Sequence, residues 1–286
     1  MPPVTPIIKY LIILNVLVFV VAYLPGELMG FDLVAASTLS LYYPGGQEFE
    51  PYQLVSHFFM HANLTHIAFN MLSLYFLGPI VEKRLGGKNF LFLYLVAAFG
   101  AAGLHSLEAW YEINKYQDLA AAFNANPTLS NLNVFFDKVA TGQLLDENKQ
   151  TVSKIVGTLQ NQMALGNATP EIIDRSHGLM LEYGDYLKNG RPVLGASGAV
   201  SGIAAAFAVL FPWQKLQIIF IPIGIYAAYM IPGFFLIDLV LGILKLDFDN
   251  IAHFAHIGGA ITGALIAYYF AKTVLPPWLN RGDPNA

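Results

Sequence analysis

The sequence contains no cysteine, which excludes disulfides, thiol nucleophiles and cysteine metal sites. Charge is scarce as well. Only 12% of the 286 residues are Asp, Glu, Lys or Arg, roughly half of the ~25% usual in globular domains. The formal net charge is −4 and no long basic run exists, so a nucleic-acid partner is not expected. The first apolar run also lacks a basic cluster ahead of it. It therefore reads as a retained membrane helix, not a cleaved leader.

What is abundant is apolar surface: 56% of residues are hydrophobic, with a mean hydropathy of +0.53. Six apolar segments, near 6–24, 63–81, 89–106, 194–212, 216–241 and 251–272, each approach the ~20 residues a bilayer span needs. Backbone groups in hydrocarbon must be satisfied internally, so these segments are predicted to be helices. The expected fold class is an all-α membrane protein, a six-transmembrane-helix bundle in a lipid bilayer. Basic residues in short connections set the orientation. Lys9, Lys83, Arg84, Lys88, Lys215, Lys272 and Arg281 all fall on one side if there are six spans. The opposite loop, 25–56, carries Glu27, Asp32, Glu48 and Glu50 and no Lys or Arg. Both termini are thus predicted to be cytoplasmic.

Residues 105–190 interrupt the apolar pattern and hold 16 of the chain's 34 charged residues. The expected organisation is therefore 1–104 (helices 1–3), a polar helical insertion 105–190 on the outer side, and 191–286 (helices 4–6 with a short tail). Val152, Ile155, Val156, Leu159 and Met163 follow helical spacing. Thr169-Pro170-Glu171 reads as an N-cap, a first-turn proline and a first-turn acid, with Ile173, His177, Met180 and Leu187 on the apolar face. Screening of substrates, docking of a partner and simple decoration are the roles open to this segment.

Three polar stretches stand out against the apolar background. In "VLGASGAVSG" (Val193–Gly202), Ser197 opens a predicted helix between Gly195, Gly198 and Gly202. Such small residues let a second backbone approach closely, and a helix start leaves N–H groups free. A serine there can attack a carbonyl while its own N–H holds the oxyanion. The competing reading is helix packing alone. In "AHFAHIGGAITG" (Ala252–Gly263), His256 precedes Gly259-xxx-Gly263, a close-packing motif. An ionisable group within a span is a functional candidate, and a neutral imidazole beside a hydroxyl is a general base. His253, nearer the membrane surface, competes for that role. In "HFFMHANLTHIAFN" (His57–Asn70), His66 and Asn70 share a helix face and can donate to a negative oxygen. His57, His61 and His66 also raise a metal site, but no carboxylates lie nearby and no His-Glu-x-x-His motif exists. No metal and no cofactor are expected. Asp238 is a further intramembrane charge, read as capping or packing in preference to catalysis. A transporter reading would want paired buried carboxylates or inverted repeats.

The motifs "HIAFN" (His66–Asn70), "EKR" (Glu82–Arg84), "GASG" (Gly195–Gly198) and "AHIGGAITG" (Ala255–Gly263), in this order on six spans, resemble the rhomboid family of intramembrane serine proteases. The resemblance covers roughly 1–104 and 191–272. It implies Ser197 as nucleophile and His256 as base, a dyad without an acid. His66, Asn70 and the Ser197 N–H would form the oxyanion hole, and Glu82 and Arg84 would hold the cytoplasmic turn. Gly195, Gly198, Gly202, Gly259 and Gly263 would serve packing. The implied substrates are transmembrane proteins cut in or near their spans, preferably after small residues and where the helix unwinds easily. The implied location is a multi-pass position in a bacterial cytoplasmic membrane, with the active site opening outward. The alternative is an inactive rhomboid-like module that binds membrane clients. The chain departs from the family pattern at Ser201, where many members carry an aromatic stacked on the histidine. It departs again at Tyr52-Gln53, where a Trp-Arg pair is common. Span 5, with Pro222, Gly224, Pro232 and Gly233, is the expected lateral gate, fixed kinks being the other reading.

Overall fold

A computed structural model describes residues 3–23, 36–137, 151–217, 224–245, 249 and 251–274. Glu27, Asp32, Pro222, Asp247 and Arg281 lie outside the described residues. The described chain is mostly helical: α1 (Pro6–Ala22), α2 (Ala36–Leu39), α3 (Gln53–Ser56), α4 (Leu64–Leu85), α5 (Gly87–Ala125), α6 (Leu129–Phe136), α7 (Thr151–Ala164), α8 (Pro170–Asn189), α9 (Ser197–Leu210), α10 (Ala227–Leu244) and α11 (His253–Thr273). A 3₁₀ turn at His57–Phe59 follows α3. A two-stranded antiparallel hairpin, β1 (Lys215–Gln217) and β2 (Gly224–Tyr226), pairs Lys215 with Tyr226. Four helices, α4, α5, α10 and α11, are long and apolar enough to cross a membrane; α1 and α9 are apolar but shorter.

α9 is the central helix. Gly198, Ala199, Val200, Gly202, Ile203, Ala205, Ala206, Phe207 and Leu210 are all buried, and it packs most intimately against α11. The contact is backbone to backbone. A Cβ on Gly259 would overlap the Gly198 carbonyl, and one on Gly263 would overlap that of Gly202. Glycine at these crossings is therefore a requirement of the packing.

The fifth apolar segment differs from its sequence reading. Residues 215–226 form hairpin strands where the path is described, and the helix begins only at Ala227. Gly224 is thus a strand residue, while Pro232 lies inside α10. An apolar run satisfies a β-hairpin as readily as a helix, so hydropathy alone could not locate the start. The third segment is also longer than expected. α5 runs unbroken through residue 105 for 39 residues, about 58 Å, against a hydrocarbon core of about 30 Å.

The projecting half of α5 builds a second core with α6, α7 and α8. Ile113, Tyr116 and Phe123 meet Leu132, Phe135 and Phe136 of α6, and also Val156, Leu159 and Met163 of α7. Leu179, Met180, Tyr183 and Leu187 of α8 close it. Thr169 caps α8 by accepting from the Ile172 N–H, with Pro170 in the first turn. Ile173 packs at the edge of the core, whereas His177 turns to Asn124 at 2.9 Å.

Charged groups tie this unit to the end of α10. Arg191 donates to Glu112 at 2.9 Å, and Lys245 donates to both Glu108 (2.8 Å) and Glu112. Lys245 takes the left-handed conformation that ends α10 (φ 47°). Burial opposes the Glu112 charge, but Lys245 and Arg191 outweigh it and hold its carboxyl below the usual range.

At the opposite end, Glu82 caps α1. It accepts from the Thr5 hydroxyl at 2.5 Å and from the Ile7 and Ile8 N–H groups at 3.3 and 3.2 Å. Arg84 instead lies over the Phe211 ring at 5.5 Å. The two residues thus hold different neighbours, α1 and the end of α9.

Candidate active site

Three helices begin at one end of the bundle, and their first turns carry the polar residues. His66 is the third residue of α4, Ser197 the first of α9 and His256 the fourth of α11. Each start is positioned locally. The Asn63 side chain caps α4 by accepting from the His66 N–H at 2.8 Å. The segment before α9 is pinned to the loop after α2: Leu41 and Val193 exchange both backbone hydrogen bonds at 2.8 Å. The Gly195 N–H then donates to the His57 carbonyl at 2.8 Å.

That loop is anchored by Gln53, in the Tyr52-Gln53 pair where the family pattern differs. Its buried amide oxygen accepts from the Tyr42 and Glu50 N–H groups, and its nitrogen donates to the Thr38 and Glu48 carbonyls. A fully satisfied buried amide fixes the strands of a loop it bridges.

Gly195 is required twice over. Its φ of +119° is in the range L side chains avoid, and a Cβ there would sit 2.7–2.8 Å from the His66 ring. The His66 imidazole therefore reaches the segment before Ser197 because residue 195 has no side chain. The Ala62 N–H donates to His66 Nδ1 at 3.4 Å. In the neutral ring this leaves Nε2 as the protonated donor, on the side facing Gly195.

The Ser197 Oγ lies 3.0 Å from His256 Nε2. As the first residue of its helix, Ser197 has an N–H without an intrahelical acceptor. Three helix N-termini converging here also bias the local field towards negative charge. The arrangement can move a proton from hydroxyl to imidazole and stabilise an oxyanion. Asn70 is buried one turn beyond His66, and its Nδ2 donates to the His66 carbonyl at 3.1 Å.

His253 is not brought to the serine. Its Nδ1 meets Asp238 Oδ1 and its Nε2 lies 2.9 Å from Asp249 Oδ2. Of the other histidines before α4, His61 stands edge-on to His66, with ring centroids 5.1 Å apart. His57 Nδ1 faces the Gln53 carbonyl at 2.6 Å and His61 Nδ1 the Phe59 carbonyl at 3.3 Å. Burial pushes both imidazoles down to about 4, so they are neutral at physiological pH.

Asp238, read from the sequence as capping or packing, and Asp249, not singled out there, both adjoin the site. Asp238 Oδ2 lies 3.0 Å from His256 Nδ1. The groups run as a chain, Ser197–His256–Asp238–His253–Asp249, each ring standing between two oxygens. An available signal was the isolated carboxylate in an apolar helix, because such charges face partners inside the bundle.

A sequence profile of the Rhomboid domain matches residues 48–111 and 160–273. The Rhomboid protease GlpG of Yersinia pestis (strain Pestoides F) is 36% identical over 85 residues, 30% of this chain and 31% of that protein. Rhomboid protease GlpG of Yersinia pseudotuberculosis serotype O:3 (strain YPIII) matches at the same identity and coverage. That of Serratia proteamaculans (strain 568) is 35% identical over 88 residues, 31% of each chain. The matched stretch spans about a third of the length of these relatives. The profile, in contrast, covers more than half of the present sequence, on both sides of residues 112–159, and on that basis the chain belongs to the rhomboid family.

Proposed function

We propose that the protein is an intramembrane serine endopeptidase that hydrolyses peptide bonds in or near transmembrane segments of membrane proteins. The observation that carries this reading is the 3.0 Å separation of Ser197 Oγ and His256 Nε2, groups 59 residues apart in sequence. Ser197 Oγ attacks the scissile carbonyl as His256 Nε2 takes its proton. The tetrahedral oxyanion is held by the Ser197 N–H, His66 Nε2–H and the Asn70 amide. His256 returns the proton to the leaving amine, giving an acyl-serine. Water then attacks that ester, again deprotonated by Nε2, and releases the new carboxyl end and free Ser197.

Six spans are formed by α1, α4, α5, α9, α10 and α11, with 105–190 inserted on the outer side between the third and fourth. The termini are cytoplasmic and the site opens outward, in the cytoplasmic membrane of a bacterium. α9 has only 14 residues, about 21 Å against a core of about 30 Å. Starting it at Ser197 sinks the hydroxyl below the outer surface and leaves room for water above it. α10 is the lateral entrance. Only 17% of its most apolar window is buried, against 39% in α4, α5 and α11, and Pro232 interrupts its hydrogen bonding.

The test is incubation of the detergent-purified protein with a generic single-span substrate, wild type beside Ser197→Ala. Cleavage by the wild type alone is expected. Equal cleavage by Ser197→Ala would refute the assignment, and binding without cleavage by the wild type would favour a client-binding module.

A further inference from the structure

Asp238 sits where a carboxylate is costly. It is six residues from the end of α10, beside Leu236 and Ile237, which are 62% and 57% exposed on the apolar exterior. Its side chain turns the other way, towards α11, and is only 18% exposed. There it meets two imidazoles at once: Oδ2 lies 3.0 Å from His256 Nδ1, and Oδ1 meets His253 Nδ1. Asp249, reached by His253 Nε2 at 2.9 Å, holds the second ring in place.

A carboxylate is an acceptor only. A neutral imidazole that bonds to it through Nδ1 must carry its single proton on Nδ1. Nε2 is then a bare lone pair, and it is Nε2 that lies 3.0 Å from Ser197 Oγ. The opposite tautomer would present an N–H to the hydroxyl and could not take its proton. When Nε2 does take the serine proton, the ring becomes a cation beside an anion, with the proton at Nδ1 staying where it is. We propose that Asp238 is the positioning residue of this site: it selects the reactive tautomer of His256, fixes the ring plane, and stabilises the imidazolium formed during acyl transfer. His253 and Asp249 act on the far side, orienting Asp238. The enzyme thus uses a carboxylate-supported serine–histidine pair, with the acid supplied by α10, a different helix from those that carry the base and the nucleophile. This inference rests on the endopeptidase reading above.

The discriminating variant is Asp238→Asn. It has nearly the same size and still hydrogen-bonds, so a residue serving only to staple α10 to α11 would tolerate it. A tautomer-selecting residue would not, because the amide can donate to Nδ1 and drive the proton to Nε2. With a single-span substrate, kcat is expected to fall about 10²–10⁴-fold while KM changes little. Asp238→Glu, which restores the acceptor, should recover part of the loss. A second readout needs no variant. In wild-type protein labelled with ¹⁵N-histidine, His256 should show a protonated Nδ1 and an unprotonated Nε2. A protonated Nε2 in the resting enzyme overturns the inference, as does full kcat in Asp238→Asn. If wild type cleaves and Ser197→Ala does not, either result removes only the role of Asp238. If wild type itself does not cleave, the endopeptidase reading is what fails.

Discussion

At the scale of single residues, the site depends on which nitrogen of each histidine carries a proton. His66 accepts from the Ala62 N–H at Nδ1 and so offers Nε2–H towards Gly195. His256 meets Asp238 at Nδ1 and so offers a lone pair to Ser197. Two imidazoles of the same chemistry are thereby given opposite tasks by their second contacts. The proposed oxyanion donors can be weighed separately. Asn70→Ala should lower kcat about 10²–10³-fold with a smaller effect on KM, read from initial rates on a single-span substrate. An unaltered kcat would leave Asn70 with only its bond to the His66 carbonyl. The motifs marked Ser197, His256, His66 and Asn70 as candidates, and the fold places Ser197 Oγ 3.0 Å from His256 Nε2. Asp238 was visible as a misplaced charge, but its partner was not. Hydropathy marks a carboxylate as out of place without saying which of two neighbouring helices it faces.

At the scale of helices, the close crossing of α9 and α11 is what brings hydroxyl and imidazole together. Gly259→Leu would drive a side chain into the Gly198 carbonyl. Overpacking of this kind costs about 1–3 kcal/mol, and here it also parts Ser197 from His256. A lower melting temperature in detergent and a loss of cleavage should appear together. Retained activity would mean the site does not rely on this contact. A different prediction applies where α10 ends. Glu112, 7% exposed, is shared by Lys245 and Arg191. Its folded pKa is depressed, so its stabilisation is present above the unfolded value of about 4.3 and is lost as pH falls through the folded value. Glu112→Gln should lower the melting temperature at pH 7, corresponding to about 1–3 kcal/mol, and should flatten its fall on acidification. A wild-type-like curve would show that the cluster contributes nothing. The helical spacing of α7 and the capped start of α8 were legible beforehand, because apolar period and cap chemistry are local. The start of α10 was not, since Leu216 and Ile225 are as apolar in a hairpin as in a span. The full length of α5 was hidden too, because Glu108, Glu112, Lys115 and Asp118 end the apolar run without ending the helix.

At the scale of the whole molecule, the chain combines a bundle of apolar helices with a separate helical unit built on the extension of α5. The charged cluster joins that unit to the end of α10, the helix proposed to admit substrate. A cross-link between α10 and α4 should therefore block cleavage of a membrane-anchored substrate while sparing reaction of Ser197 with a small soluble reagent. Full activity towards the anchored substrate would argue against entry at that place. The family was legible from four short motifs in order, because catalysis and close packing constrain few residue types at those points. The role of 105–190 was not, since a polar helical unit with its own core fits many partners equally well. The central claim is that Ser197 is a nucleophile activated by His256, and its most direct measurement is covalent labelling of the folded protein by a fluorophosphonate, with the adduct mapped by mass spectrometry. The account predicts one adduct, on Ser197, that disappears in His256→Ala. An adduct on another residue, or none on a protein shown to be folded, would contradict it.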